Sequence, residues 1–159
     1  MTTYHHILVA VGLLAERSAA LERATALALG DSARLTVVSA AGSPSPFVWL
    51  APGLPENPID SLEHACEQRL RALAESMPSG ISVTTRLLHG SAVPALLKEL
   101  RHGTYDLVVI GSDGHRRWRR GLSRTLLRRS PISILVVAPD HTRTVRVAPR
   151  TDDLVRKGV

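Results

Sequence analysis

The chain predicts an α/β fold: one doubly wound domain, a parallel sheet with helices on both faces. Two observations carry that prediction. Strand-length apolar runs such as Ile7-Leu8-Val9-Ala10-Val11 and Leu107-Val108-Val109-Ile110 lack polar alternation, as strands covered on both faces do. Between the runs lie segments whose apolar residues recur three and four apart, the period of an amphipathic helix. The length of 159 residues matches one domain, since domains usually run to about 100–150 residues.

The elements follow in order. Residues 7–11 form the first strand, with His5 and His6 marking its start on opposite faces. Residues 16–29 place Ala20, Leu21, Ala24, Leu27 and Ala28 at helical spacing, with Gly30 as the stop. Residues 35–38 are the second strand. A loop rich in Gly, Ser and Pro, carrying Phe47 and Trp49, then leads to a helix over 60–77 with Leu62, Ala65, Cys66, Leu70, Leu73 and Ala74 on one face. Residues 81–87 alternate as a third strand, and 91–101 form a helix with Val93, Leu96, Leu97 and Leu100 inward. A fourth strand over 107–110, a helix over about 122–129 and a fifth strand from Ile132 to Ala138 complete the domain, taken as residues 1–140. Residues 141–159 read as a polar tail, a flexible extension or dimer arm. Within it Val145 and Val147 alternate with Thr144 and Arg146 as in a short strand.

Composition excludes several classes. A hydrophobic content of 44% and a mean hydropathy of +0.05 rule out a disordered chain. One cysteine, Cys66, forbids an internal disulfide framework and fits a reducing cytoplasm. Aromatics at 3% argue against binding single strands by base stacking. No apolar run approaches the ~20 residues a bilayer span needs. Residues 7–15 imitate the apolar centre of a signal peptide, yet no Lys or Arg precedes them and Glu16 and Arg17 follow at once.

The net charge is +6, and it is local. Seven arginines (116, 117, 119, 120, 124, 128 and 129) stand in the acid-free stretch from His115 to Arg129, so the rest of the chain carries −1. A solvated surface, a phosphate-bearing ligand, a nucleic acid or an acidic partner would each suit such a stretch.

Four segments together resemble the universal stress protein family. They are the opening strand with Ala20-Leu21, the strand and Gly-x-x-Gly turn of Tyr105-Asp106-Leu107-Val108-Val109-Ile110-Gly111-Ser112-Asp113-Gly114, the closing Leu126-Leu127-Arg128-Arg129-Ser130-Pro131 with the apolar strand after it, and Gly90. The likeness runs from about residue 5 to 139. It implies a five-stranded parallel sheet in the order 3-2-1-4-5 and a homodimer joined by antiparallel pairing of the fifth strands, here Ile132 to Ala138. An apolar strand at a sheet edge needs such a cover.

In ATP-binding members of that family the first strand ends in Asp, within Asp-Gly-Ser. The phosphates lie on Gly-x-x-Gly, nine residues, then Gly-Ser or Gly-Thr. Glycines let backbone N–H groups approach an anion, and a helix N-terminus adds positive potential. This chain departs at both places. Its first strand ends Val11-Gly12-Leu13-Leu14, without the carboxylate. Nine residues beyond Gly114 stand Arg124-Thr125, whereas alignment from Leu126-Leu127-Arg128 puts Arg120-Gly121 at the Gly-Ser position, with Ser123 two residues later and a loop four residues shorter. The segment Gly114-His115-Arg116-Arg117-Trp118 resembles the His- and Trp-bearing loop of members without ATP.

The candidate nucleotide site is therefore Gly12, Gly111, Gly114, Gly121 and Ser123, with Arg116, Arg117, Arg120 and Arg124 as phosphate donors. Gly111 and Gly114 equally suit a tight turn with positive φ. Asp106 is assigned a local hydrogen bond beside its strand, His89 a structural place near the cleft, and Cys66 an inert core position. His64 and Cys66, two apart on a helix, face different ways and make no metal pair. No nucleophile elbow or coherent acid–base pair is present.

The expectation is a non-enzymatic, cytoplasmic, homodimeric stress-response protein with a degenerate nucleotide site, no bound cofactor and no membrane contact. Two alternatives stand beside it. One is a module sensing ATP or AMP through its arginine-rich loop. The other is an interaction protein docking an acidic partner or nucleic acid through residues 116–129.

Overall fold

A computed structural model describes residues 3–12, 18–41, 53, 56–111, 124–138 and 144–147. The strands are β1 (His6–Ala10), β2 (Arg34–Ala41), β3 (Val83–His89), β4 (Leu107–Gly111), β5 (Ser133–Val137) and β6 (Thr144–Val147). The helices are α1 (Ala19–Asp31), α2 (Pro58–Glu75) and α3 (Ala92–His102), and residues 124–129 are also helical.

The first five strands form the expected parallel sheet in the order β3-β2-β1-β4-β5, and β6 adds antiparallel beyond β5. Residues 35–38 prove to be the middle of a longer strand, because β2 pairs β3 in register from Leu35↔Val83 to Ala41↔His89.

The uninterrupted apolar runs are explained by two cores, one on each face. Ile7, Val9, Leu35, Val37, Leu107 and Val109 point to the side covered by α1 and α2. Leu8, Ala10, Val38, Val108, Ile110 and Ile134 point to the side covered by α3 and 124–129, where Leu96, Leu97, Leu100 and Leu126 meet them. Each fully buried Val, Leu or Ile contributes roughly 1.5–3 kcal/mol relative to exposure. On α1, Ala20, Ala24 and Ala28 are buried four apart, so the helix backbone can approach the sheet closely.

Local chemistry sets the ends of α1. Ser18 is its N-cap, its Oγ accepting from the Leu21 N–H at 3.3 Å. The helix starts later than the apolar pattern implied and runs through Gly30. It stops at Ser32, which is left-handed at φ 54° and donates its N–H to the Ala28 carbonyl. The expected glycine stop is thus replaced by a serine one position past the helix. At the other chain reversal Gly90, at φ +87°, turns β3 into α3 in a conformation that L side chains rarely adopt.

Two further expectations change. The Asp106 carboxylate bonds no near neighbour in sequence; it accepts from the His5 and His6 N–H groups at 2.6 and 2.9 Å, tying the start of β1 to that of β4. The free edge expected of the fifth strand is taken by β6, in register from Ile134↔Val147 to Val137↔Thr144. Antiparallel neighbours need only a short connection, and the tail supplies it.

Candidate functional site

In an open α/β sheet the ligand crevice lies outside the carboxyl ends of the strands, where strand order reverses. Here the reversal falls between β1 and β4, paired in parallel from Ile7↔Leu107 to Ala10↔Ile110. Continuing that register, the chain leaves β1 through Val11 and Gly12 beside Gly111.

The end of β1 is pinned firmly. The Val11 N–H donates to the Val38 carbonyl at 2.9 Å, and the Val11 carbonyl accepts from the buried Ser39 Oγ at 3.1 Å. Gly12, next along, is exposed, and a Cβ built on it would meet nothing within 4 Å. The position after β1 therefore has room for a carboxylate side chain and holds none. Gly111 is the last residue of β4, in register with Val137. It is strand rather than the positive-φ turn expected; the described glycines with positive φ are Gly53, Gly80 and Gly90. Arg124 opens the helical stretch 124–129 with its side chain exposed. Gly114, Gly121, Ser123, Arg116, Arg117 and Arg120 lie outside the described residues, as does Trp118.

Among the described residues no group of three His, Cys, Asp or Glu could hold a metal ion. His89 is drawn away from the crevice. It stands at the end of the outer strand β3 and its Nδ1 pairs with Glu63 of α2 at 3.0 Å. His64 bonds Gln68 on its own helix at 3.0 Å. Cys66 is buried on α2 at 1% exposure, and that burial pushes its thiol above the ordinary 9.0. Such a thiol holds little thiolate at neutral pH and makes a poor nucleophile.

Among the described residues a polar cluster lies at the opposite, amino end of the strands. His6 bonds the Thr36 hydroxyl at 2.8 Å and the Thr104 carbonyl at 3.1 Å, and its ring lies 4.5 Å from that of Tyr105. The Tyr105 hydroxyl donates to Glu99 Oε1 at 2.6 Å, and the same oxygen receives Arg86 at 2.5 Å. Burial, then the Glu99 carboxylate, pushes the Tyr105 phenol up from 10.0. Its share of stability is complete below pH 10 and lost as pH rises through the raised value. Nothing in the spacing of residues 6, 36, 86, 99 and 105 announces this cluster, because each comes from a different element. It ties α3 to the sheet. A second feature away from the crevice is a cavity of about 550 Å³ between α2 and β3, with Leu70, Ala74 and Leu87 inside and Glu67, Arg71 and Glu75 around it.

A parallel sheet in the order 3-2-1-4-5 that reverses between its first and fourth strands defines a doubly wound, Rossmann-like type of α/β domain. The profile of the universal stress protein family matches residues 3–138, and the chain belongs to that family. A search of curated proteins returns no significant match. Among solved structures, the universal stress protein UspA of Lactobacillus plantarum is 21% identical with a TM-score of 0.61, covering 86% of this chain and 99% of its own. A family protein from Burkholderia pseudomallei is 24% identical with a TM-score of 0.63, covering 84% and 96%. A universal stress protein crystallised with cAMP is 22% identical with a TM-score of 0.53, covering 86% and 98%. At these identities the likeness speaks for the fold.

Proposed function

We propose that the chain is a non-enzymatic, cytoplasmic stress-response protein, homodimeric, whose crevice no longer grips ATP. The observation that carries this is Gly12: at the end of the strand where a nucleotide-binding relative offers Asp, this chain has no side chain at all. A carboxylate there would fix the nucleoside half, and Gly12 itself offers a ligand only its backbone groups. The non-enzymatic reading rests on the sequence, which offers no nucleophile elbow and no coherent acid–base pair. The single cysteine supports a reducing compartment, and among the described residues no helix is long and apolar enough to cross a membrane. The homodimer of this reading would join at the β5 edge once β6 gives up the backbone groups it pairs there.

Calorimetric titration with ATP-Mg, AMP and cAMP tests the crevice. The wild-type chain is expected to bind none of them tighter than about 1 mM, and Gly12→Asp to recover affinity by about tenfold or more. Because a Cβ at position 12 meets open space, the variant should fold normally. Micromolar binding by the wild type, lost in Arg117→Ala with Arg120→Ala, would replace this reading with nucleotide sensing through arginines.

A further inference from the structure

We propose that the groove between α3 and residues 124–129 docks an acidic, amphipathic segment of a partner protein, one apolar side chain entering the groove and flanking carboxylates meeting its cationic rim. This site is separate from the nucleotide crevice. A cavity of about 220 Å³ lies there, with Val93, Pro94 and Leu97 as its apolar part. Lys98, Arg101, His102 and Arg129 complete the lining. On α3 these residues fall in two rows four apart, Val93-Leu97-Arg101 and Pro94-Lys98-His102, so apolar and cationic groups succeed each other along one helical face.

Charge complementarity selects the occupant. α3 and 124–129 carry Lys98, Arg101, Arg124, Arg128 and Arg129 against one acid, Glu99. That acid is already held by Arg86 and the Tyr105 hydroxyl. Among the described residues none of the five cations has a salt-bridge partner, so carboxylates arriving from outside meet no competitor among those residues. The Lys and Arg stems extend the apolar wall while their heads stay in water.

The cavity is smaller than the roughly 300–1,000 Å³ of small-molecule sites, but it can take a branched side chain. A nucleic acid would want several aromatic platforms for its bases, and among the described lining residues the His102 imidazole is the only aromatic ring. The combination of apolar anchor and flanking acids is that of a short peptide motif laid against a helix groove.

Fluorescence anisotropy with the full chain and a labelled Asp-Glu-Ile-Leu-Glu-Glu peptide in 50 mM salt supplies the test. Binding in the range of tens of micromolar is expected, weakened about tenfold by Lys98→Glu with Arg101→Glu, since removing rim charges slows encounter and costs affinity. Both positions are exposed, so the variant should keep its fold, which circular dichroism verifies. Replacing the two apolar peptide residues by Ser should cost a further tenfold or so. The proposal is overturned by absence of binding at 1 mM, by indifference to either change, or by a single-stranded oligonucleotide that binds more tightly and displaces the peptide.

Discussion

Gly103 shows how one atom constrains this chain. Its backbone, at φ −88° and ψ 160°, is open to any residue, so conformational freedom is not what holds a glycine there. The cause is contact: a Cβ would run into the ring of Tyr105, itself nearly buried and committed to Glu99. Gly103→Ala should therefore destabilise by about 1–3 kcal/mol, the usual cost of overpacking, read as a lower urea midpoint with unchanged slope. If the midpoint holds, Tyr105 has somewhere to go and the cluster at the amino end of the sheet is softer than its bonds imply. Cys66 carries the opposite lesson. Its burial was legible from the apolar helix face around it, and its raised thiol follows from that burial alone. Asp106 was misjudged because its partners, His5 and His6, are about a hundred residues away, and no local pattern records such a distance.

The strands and helices were foreseeable because most apolar patterns had a match in the packing, although Leu62 and Ala65, expected on the apolar face of α2, are exposed. Leu96, Leu97 and Leu100 of α3 are buried against Leu8, Val108 and Ile110 as their spacing implied. Boundaries moved where caps decided them: Ser18 delayed α1 and Ser32 ended it. In the tail the short strand suggested by its alternation is present as Thr144–Val147, but its partner, β5, is a tertiary contact that no local pattern names. A fifth-strand dimer and this pairing use the same edge of β5, so the two exclude each other. Removing residues 141–159 should uncover the edge and shift the chain toward the dimer at micromolar concentration, as light scattering coupled to gel filtration would reveal. An unchanged mass distribution would mean that β6 does not compete for this edge.

Charge divides the molecule between the two faces of the sheet. α2 holds Asp60, Glu63, Glu67 and Glu75 against Arg69 and Arg71, whereas α3 and 124–129 hold five cations against Glu99. Copies of such a molecule attract each other when the acidic face of one meets the basic face of the next. The Debye length shrinks from about 30 Å at 0.01 M salt to about 10 Å at 0.1 M, so this attraction should fade over that range. Static light scattering should give a negative interaction coefficient at 0.01 M that rises toward zero by 0.1 M. A coefficient that stays positive throughout would show that the net charge of +6 outweighs the polarity.

Periodicity was enough for the fold class and its five apolar strands, and the resemblance of particular motifs for the family, the strand order and the missing acid at position 12, because these rest on residue identity and short-range pattern. The open space around Gly12, the strand geometry of Gly111, the removal of His89 to Glu63, the network joining His6 and Thr36 to Tyr105, Glu99 and Arg86, and the covering of β5 by β6 emerged only on folding. Each depends on groups from separate elements meeting across the sheet, and local sequence carries no measure of which distant surfaces burial will press together.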